Sequence, residues 1–412
     1  MLKRIPVQQL ALGMHIKEFC GSWMEHPFWR SGFLLTHAEE LAAIHASSIR
    51  EVWIDSSLGM DVAAGESVVT AAQADAQAEH DLQELATPGR PPDTVSAAAE
   101  FAMAASICKQ GRAAVVTMFQ EARMGKTVDA ESVQQLVDDI TLSVSRNPNA
   151  LISLARLKTA DDYTFMHSVA VCAMMIALAR QLGLSSEQTR SAGIAGLLHD
   201  LGKAVMPMNV LNKPGKLTEA EFNIIKSHPG EGHKLLVAGG VNDAITLEVC
   251  LHHHEKMDGS GYPGKFRGDD IGLFAKMGAV CDVYDAITSN RPYKSGWDPA
   301  ESLRKMAEWG GSHFDPTVFQ AFVKSLGIYP IGSLVKLTSG RIGVVTEQGR
   351  KSLTMPMVKV FFSTKSNMRI LPEVIDLARP GASEKIAGRE DPAKWHFADL
   401  NELWSGLTGK PW

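Results

Sequence analysis

The sequence predicts a mainly α chain, a helical bundle with a small N-terminal α/β or β-rich module and a small C-terminal β module, and three observations carry that expectation. Apolar residues recur at 3- and 4-residue spacing from Asp93 to about Gly327. Residues 1–60 and 331–379 instead run in short apolar stretches broken by turn residues. Between them, residues 61–92 are rich in Ala, Gln, Asp and Glu and close on Pro88-Gly89-Arg90-Pro91-Pro92, the composition of a linker.

In chain order, Met14 to Phe19 reads as a strand, Thr36-His37-Ala38-Glu39 has capping-box spacing ahead of Leu41 and Ile44, and Val52-Trp53-Ile54 reads as a further strand. Trp23, Phe28, Trp29 and Phe33 lie close together, either as the module's own core or as a surface for a partner or a second copy in a homodimer. The alanines of the linker favour a frayed helix. Ser185-Ser186-Glu187-Gln188 opens a helix running to Asp200, with Gly202 placed to end it. Thr218-Glu219-Ala220-Glu221 opens a short helix toward His228, and Ala275 to Thr288 forms another. Beyond Pro330, Ser333 to Val345 is split by a Ser-Gly turn, and Val358 to Phe362 and Arg369 to Leu377 complete a small β-barrel-like module. Residues 380–412 read as a tail.

Composition narrows the function. With 45% hydrophobic and 21% charged residues and a net charge of −5, the chain is neither a disordered acidic tail nor a polycation, and DNA is not its expected partner. The longest uncharged apolar stretch, Val169 to Ala179, falls short of the ~20 residues that cross a bilayer. No apolar segment follows Lys3 and Arg4, so the expectation is a cytoplasmic chain without a transmembrane segment. The cysteines Cys20, Cys108, Cys172, Cys250 and Cys281 form no Cys-x-x-Cys pair and read as small buried hydrophobes.

Histidine stands out. Of 14 in the chain, His167, His199, His228, His233, His252, His253 and His254 crowd into one window, where an even spread would place about three. A His-Asp pair at a helix end can aim both groups into one pocket, because adjacent helical residues differ by only about 100°. Together with Asp282, several of these side chains can converge from different helices of a bundle core. Imidazole and carboxylate suit iron, manganese or zinc. Asp200 is the best candidate to bridge two ions about 3.5–4 Å apart, because each of its oxygens can face one of them. Such a site, left near +2, suits an anionic substrate such as a phosphodiester, and a water bridging the ions becomes hydroxide near neutral pH.

His199-Asp200-Leu201-Gly202-Lys203 resembles the signature of the HD metal-dependent phosphohydrolases. His253-His254-Glu255-Lys256-Met257-Asp258-Gly259-Ser260-Gly261-Tyr262-Pro263 is similar to the diagnostic element of their HD-GYP subgroup, bacterial phosphodiesterases of cyclic dinucleotides, chiefly cyclic di-GMP. Leu211 to Thr218, His228-Pro229 with Gly232, Asp282 to Ala286 and Ser289 to Lys294 extend the similarity over residues 150–325, and the outer modules look like ones that accompany this domain. The resemblance implies an HD-type bundle, metal ligation by His167, His199, Asp200, His228, His253, His254 and Asp282, and phosphate contacts from Lys203, Arg291 and Lys294. Catalysis would rest on Asp200 and Lys203. Tyr262 either stacks on a base or packs, and the Gly-rich loop around it is a pocket wall or a docking surface for a signalling protein such as a diguanylate cyclase. Three-ion members of the family carry Glu four residues before the first histidine. Tyr163 holds that position here, so two ions, iron or manganese, are expected. The implied reaction is hydrolysis of cyclic di-GMP to the linear dinucleotide (pGpG) and then GMP; cyclic GMP-AMP as substrate, or a receptor without turnover, are the alternatives.

Overall fold

The computed structural model describes residues 1–20, 32–47, 49–63, 68–88, 95–126, 130–158, 163–213, 215, 217–290 and 296–408, with helices through the middle and a five-stranded antiparallel sheet toward each end. The N-terminal sheet contains β1 (Leu2–Pro6), β2 (His15–Phe19), β3 (Phe33–Leu34), β4 (Glu51–Asp55) and β5 (Val69–Thr70) in the order β3-β2-β4-β1-β5. Ile5, Ile16, Val52 and Ile54 fill its core with Ile44 of α1 (Ala38–Ala46). The expected capping box at Thr36 does not form. α1 starts one residue later, with His37 as its N-cap, so Glu39 complements the positive helix end instead of reaching back to a cap. Phe33 packs against this core, whereas Trp23, Phe28 and Trp29 lie outside the described residues.

The stretch that reads as a linker contains a packed helix, α2 (Ala71–Glu84). Thr70 and Gln73 form its capping box, and Ala74, Ala78 and Leu82 make a buried stripe at 4-residue spacing. That stripe lies against α13 (Pro299–Glu308), and ion pairs from Arg304 to Asp75 and from Arg389 to Glu79 flank it. Small alanine side chains carry little hydrophobic signal, yet they permit close approach, and the contact forms only in the tertiary structure.

The bundle runs α3 (Ala97–Arg123), α4 (Ala130–Arg146), α5 (Pro148–Ala155), α6 (Tyr163–Gln181) and α7 (Ser186–Leu198), then α8 (Met208–Leu211), α9 (Glu219–Ile225), α10 (His228–Ala238), α11 (Ala244–His252), α12 (Leu273–Thr288), then α13 and α14 (Pro316–Leu326). α6 is its axis and touches α3, α4, α5, α7, α12 and α14. Thr164–Gln181, which includes Arg180, is long and apolar enough to cross a bilayer by length and composition, but 78% of it is buried inside the protein. A helix apolar on every face belongs at the centre of a bundle. The capping boxes at Ser185 and Thr218 form as read.

The C-terminal sheet has the order β10-β6-β7-β8-β9, with β6 (Leu334–Leu337), β7 (Arg341–Glu347), β8 (Met357–Ser363), β9 (Met368–Asp376) and β10 (Ile386–Arg389). It has edges at β9 and β10, so it is a sheet rather than the closed ring that a barrel would be. Residues 380–412 supply β10, α15 (Pro392–Trp395) and α16 (Leu400–Ser405), whose Trp404 is buried edge-on against Phe101 at 5.6 Å.

Asp298 joins bundle and sheet. Its Oδ1 accepts from the Ala300 and Glu301 amides at the start of α13, and its Oδ2 from the Leu334 amide at 3.0 Å. Burial pushes its carboxyl up to about 6 against these bonds. The folded state therefore holds this proton more tightly than the unfolded chain does. The associated stability is complete below pH ~4 and is lost as the pH rises through about 6. Replacing Asp298 by Ala is expected to cost about 1–3 kcal/mol and to remove this pH dependence, read as Tm against pH; an unchanged profile would contradict the assignment.

Candidate metal centre

Five helices deliver the site, two of them through their C-terminal ends. His167 projects from α6, His199 caps the C-terminus of α7 with Asp200 next in the chain, His228 opens α10, His253 caps the C-terminus of α11 with His254 after it, and Asp282 lies on α12. All seven side chains are buried.

Their ligand atoms fall into overlapping groups: His167, His199 and Asp282; His228, His253 and His254; and His199, Asp200 and His253. Asp200 lies between the first two. Its Oδ2 is 3.5 Å from His167 Nε2 and 3.4 Å from His199 Nε2, while its Oδ1 is 3.1 Å from His228 Nε2 and 3.9 Å from His253 Nε2. Asp282 Oδ1 approaches His167 Nε2 at 2.9 Å, and Asp282 Oδ2 approaches His254 Nδ1 at 3.7 Å.

Backbone bonds fix which nitrogens face inward. His199 Nδ1 donates to Gly196 O at 2.8 Å, His228 Nδ1 to Ile225 O at 2.7 Å, and His253 Nδ1 to Val249 O and Cys250 O. A neutral imidazole with its proton on Nδ1 presents a lone pair at Nε2. Lone pairs thus face each other at His228 and His253, whose Nε2 atoms are 3.3 Å apart, and the His199 Nε2 lone pair lies 3.2 Å from His167 Nε2. Asp200 Oδ1 and Asp282 Oδ2 are buried and accept no hydrogen bond. Buried acceptors this close, without donors between them, fit a divalent metal.

The electrostatics divide the histidines: burial works against a charge on His167, but its bonds to Asp282 and Asp285 outweigh that and raise it above its ordinary value. Burial drives His199 and His254 down and His253 to about 3, with neighbouring imidazoles adding to the shift, so these ligands stay neutral. Burial alone would raise Asp200 and Asp282, but Lys203 with the histidines at Asp200, and the histidines at Asp282, outweigh it and hold both well below the usual carboxylate range. Lys203 Nζ is 2.5 Å from Asp200 Oδ2 and 17% exposed, at the rim of the site.

Tyr262 stacks on the His254 ring, centroids 4.7 Å apart at 25°. The Gly-rich loop is anchored by Glu255, which accepts from the amides of Gly264 at 2.6 Å and Phe266 at 3.1 Å. At Gly261 a β-carbon would stand 2.5 Å from Glu255 Cα, so close chain approach is what requires glycine there. His252 lies against Phe266 outside the metal-competent groups, as does His233. Arg291, Lys294 and the Tyr163 side chain fall outside the described residues. Two further residues support the site with little local signal of their role. Asp285, one turn after Asp282, accepts from His167 Nδ1 at 2.6 Å, and Lys158, fully buried, binds both Asp285 oxygens. The i, i+3 spacing of the two aspartates was the available signal.

Residues 2–133 match the model of a domain of unknown function (DUF3391), and residues 143–318 match that of the HD domain. A cyclic di-GMP phosphodiesterase of Pseudomonas aeruginosa is 53% identical over 99% of this chain and 97% of its own length. A cyclic di-GMP phosphodiesterase response regulator of Xanthomonas campestris pv. campestris is 41% identical over 42% of this chain and 47% of its own. A 3'3'-cGAMP-specific phosphodiesterase of Vibrio cholerae is 35% identical over 40% of this chain and 38% of its own.

Gly202 tests the geometry. A β-carbon there would collide with the His228 carbonyl oxygen and stand 2.5 Å from Gly232 N, so Gly202→Ala must push α10 away from the His-Asp pair. The expected result is a loss of about 1–3 kcal/mol in thermal stability together with reduced bound metal; unchanged metal content would contradict this packing.

Proposed function

The chain belongs to the HD-GYP family of HD-domain phosphodiesterases, and on that premise we propose that it hydrolyses cyclic di-GMP to the linear dinucleotide with two divalent ions, iron or manganese, in the cytoplasm. The observation that carries the reading is the position of Asp200, one oxygen toward each histidine group. On this reading His167, His199 and Asp282 would hold one ion and His228, His253 and His254 the other, with Asp200 between the two groups. Bound there, the ions would polarise a phosphodiester oxygen and lower the pKa of a water toward ~7, making hydroxide available at neutral pH.

The chain's own residues do the rest. Asp200 balances the cations, and Asp282, with an oxygen toward each group, adds to that balance. Lys203, at the rim and already within 2.5 Å of Asp200, is a point charge able to hold a phosphate oxygen once cations take up the carboxylate. Arg291 and Lys294 hold the substrate's remaining phosphate charge, and the fully buried donor set keeps bulk water away from the reacting bond. Tyr262, stacked on His254, supports that ring and offers its outer face to a base.

Metal-replete protein incubated with cyclic di-GMP should yield linear dinucleotide; recovery of intact ligand would overturn the enzyme reading, and faster turnover of cyclic GMP-AMP in parallel would shift the substrate. Asp200→Ala should lower both metal content and hydrolysis, the latter by at least ~100-fold. Full activity in that variant would refute its role. Arg291→Ala should raise KM while leaving metal content intact, and loss of metal would contradict its assignment to substrate.

A further inference from the structure

One histidine is held in place differently from the rest. His199, His228 and His253 donate their Nδ1 protons to main-chain carbonyls of their own helices. His167 donates instead to a carboxylate, Asp285 Oδ2 at 2.6 Å. That carboxylate is clamped. Lys158 Nζ reaches Asp285 Oδ1 at 2.6 Å and Oδ2 at 2.5 Å, and Ser289 Oγ donates to Oδ1 at 3.3 Å. The Lys158 side chain is 0% exposed and that of Asp285 3%.

A buried ion pair is poor evidence of a stability device. Removing lysine and aspartate from water costs several kcal/mol per ion, and an apolar pair of similar volume often serves the fold as well. This pair instead sits immediately behind one imidazole, where a carboxylate fixes the ring's tautomer and orientation and raises its strength as a ligand. Asp285 is also one turn from Asp282 on α12, so a single helix supplies both the carboxylate toward the site and the one behind His167. The opposite group, His228, His253 and His254, has no part in these contacts.

We infer that Lys158 and Asp285 form a positioning pair that sets the metal affinity of the His167, His199 and Asp282 half of the centre and leaves the other half untouched. Lys158 grips both oxygens of Asp285, so Oδ2 stays aimed at His167 Nδ1 and His167 Nε2 stays aimed at the ion. This rests on the two-ion reading above but not on turnover, and its test reads metal alone.

The experiment titrates Mn(II) into the metal-stripped full-length protein and follows binding and electron paramagnetic resonance for the wild type, Asp285→Asn, and the double variant Lys158→Met with Asp285→Asn. The double variant removes both charges, so it remains informative if Asp285→Asn alone strands a buried ammonium and fails to fold. One of the two ions is expected to bind about 10–100-fold more weakly while the other keeps its affinity, and the spectrum of a coupled pair should give way to that of isolated ions. A merely structural role would weaken both ions together. Equal weakening of both, or wild-type binding of both, overturns the inference, as does a wild-type chain that takes up only one ion. Wild-type protein that binds two ions yet leaves cyclic di-GMP intact overturns the proposed function, while the variants' isotherms still decide this pair.

Discussion

Buried acceptors facing one another set the terms for this molecule. Inward-facing imidazole nitrogens 3.2–3.3 Å apart, beside two carboxylates with unfilled acceptor positions, are costly to bury in a low-dielectric interior unless cations lie among them. Much of the surrounding structure serves to hold that arrangement. Helix-end carbonyls lock three imidazoles with their Nε2 atoms inward, and the apolar α6 places His167 at the centre of the bundle. Gly202 lets α10 approach closely enough for His228 to face Asp200.

The other parts of the chain bear on the site through its walls. Arg50 of the N-terminal module lies 3.7 Å from Asp258 in the Gly-rich loop, and the amides of Met257 and Asp258 donate to the carbonyls of His313 and Ser312, just beyond α13. The N-terminal sheet also reaches α13 through Lys305 and Glu18. At the far side, Asp298 and Trp404 tie the C-terminal sheet to the bundle. The loop that follows His254 is therefore braced by two separate elements as well as by Glu255.

Local chemistry made the bundle and its donor set legible in the sequence. Caps at Ser185 and Thr218 are written in side chains a few residues apart, and a His-Asp pair at a helix end has few bland readings once other histidines crowd the same span. What was not legible depends on distant partners. α2 reads as a linker because its alanines gain stability only against α13, and residues 380–412 read as a tail because β10 exists only beside β6. Lys158 ends an apolar run and meets Asp285 across 127 positions, which no local pattern announces. The box at Thr36 failed for the opposite reason: a local signal was present, but the helix began one residue later.

Cations hold this core together, and melting the wild-type protein before and after chelation puts that to the proof. An ion at a hundredfold excess over its Kd stabilises the folded state by about 2.7 kcal/mol per site. Chelation should lower the Tm clearly, and Mn(II) or Fe(II), but not Ca(II), should restore it. A chelated protein that melts at the same temperature as the metal-loaded one would contradict it.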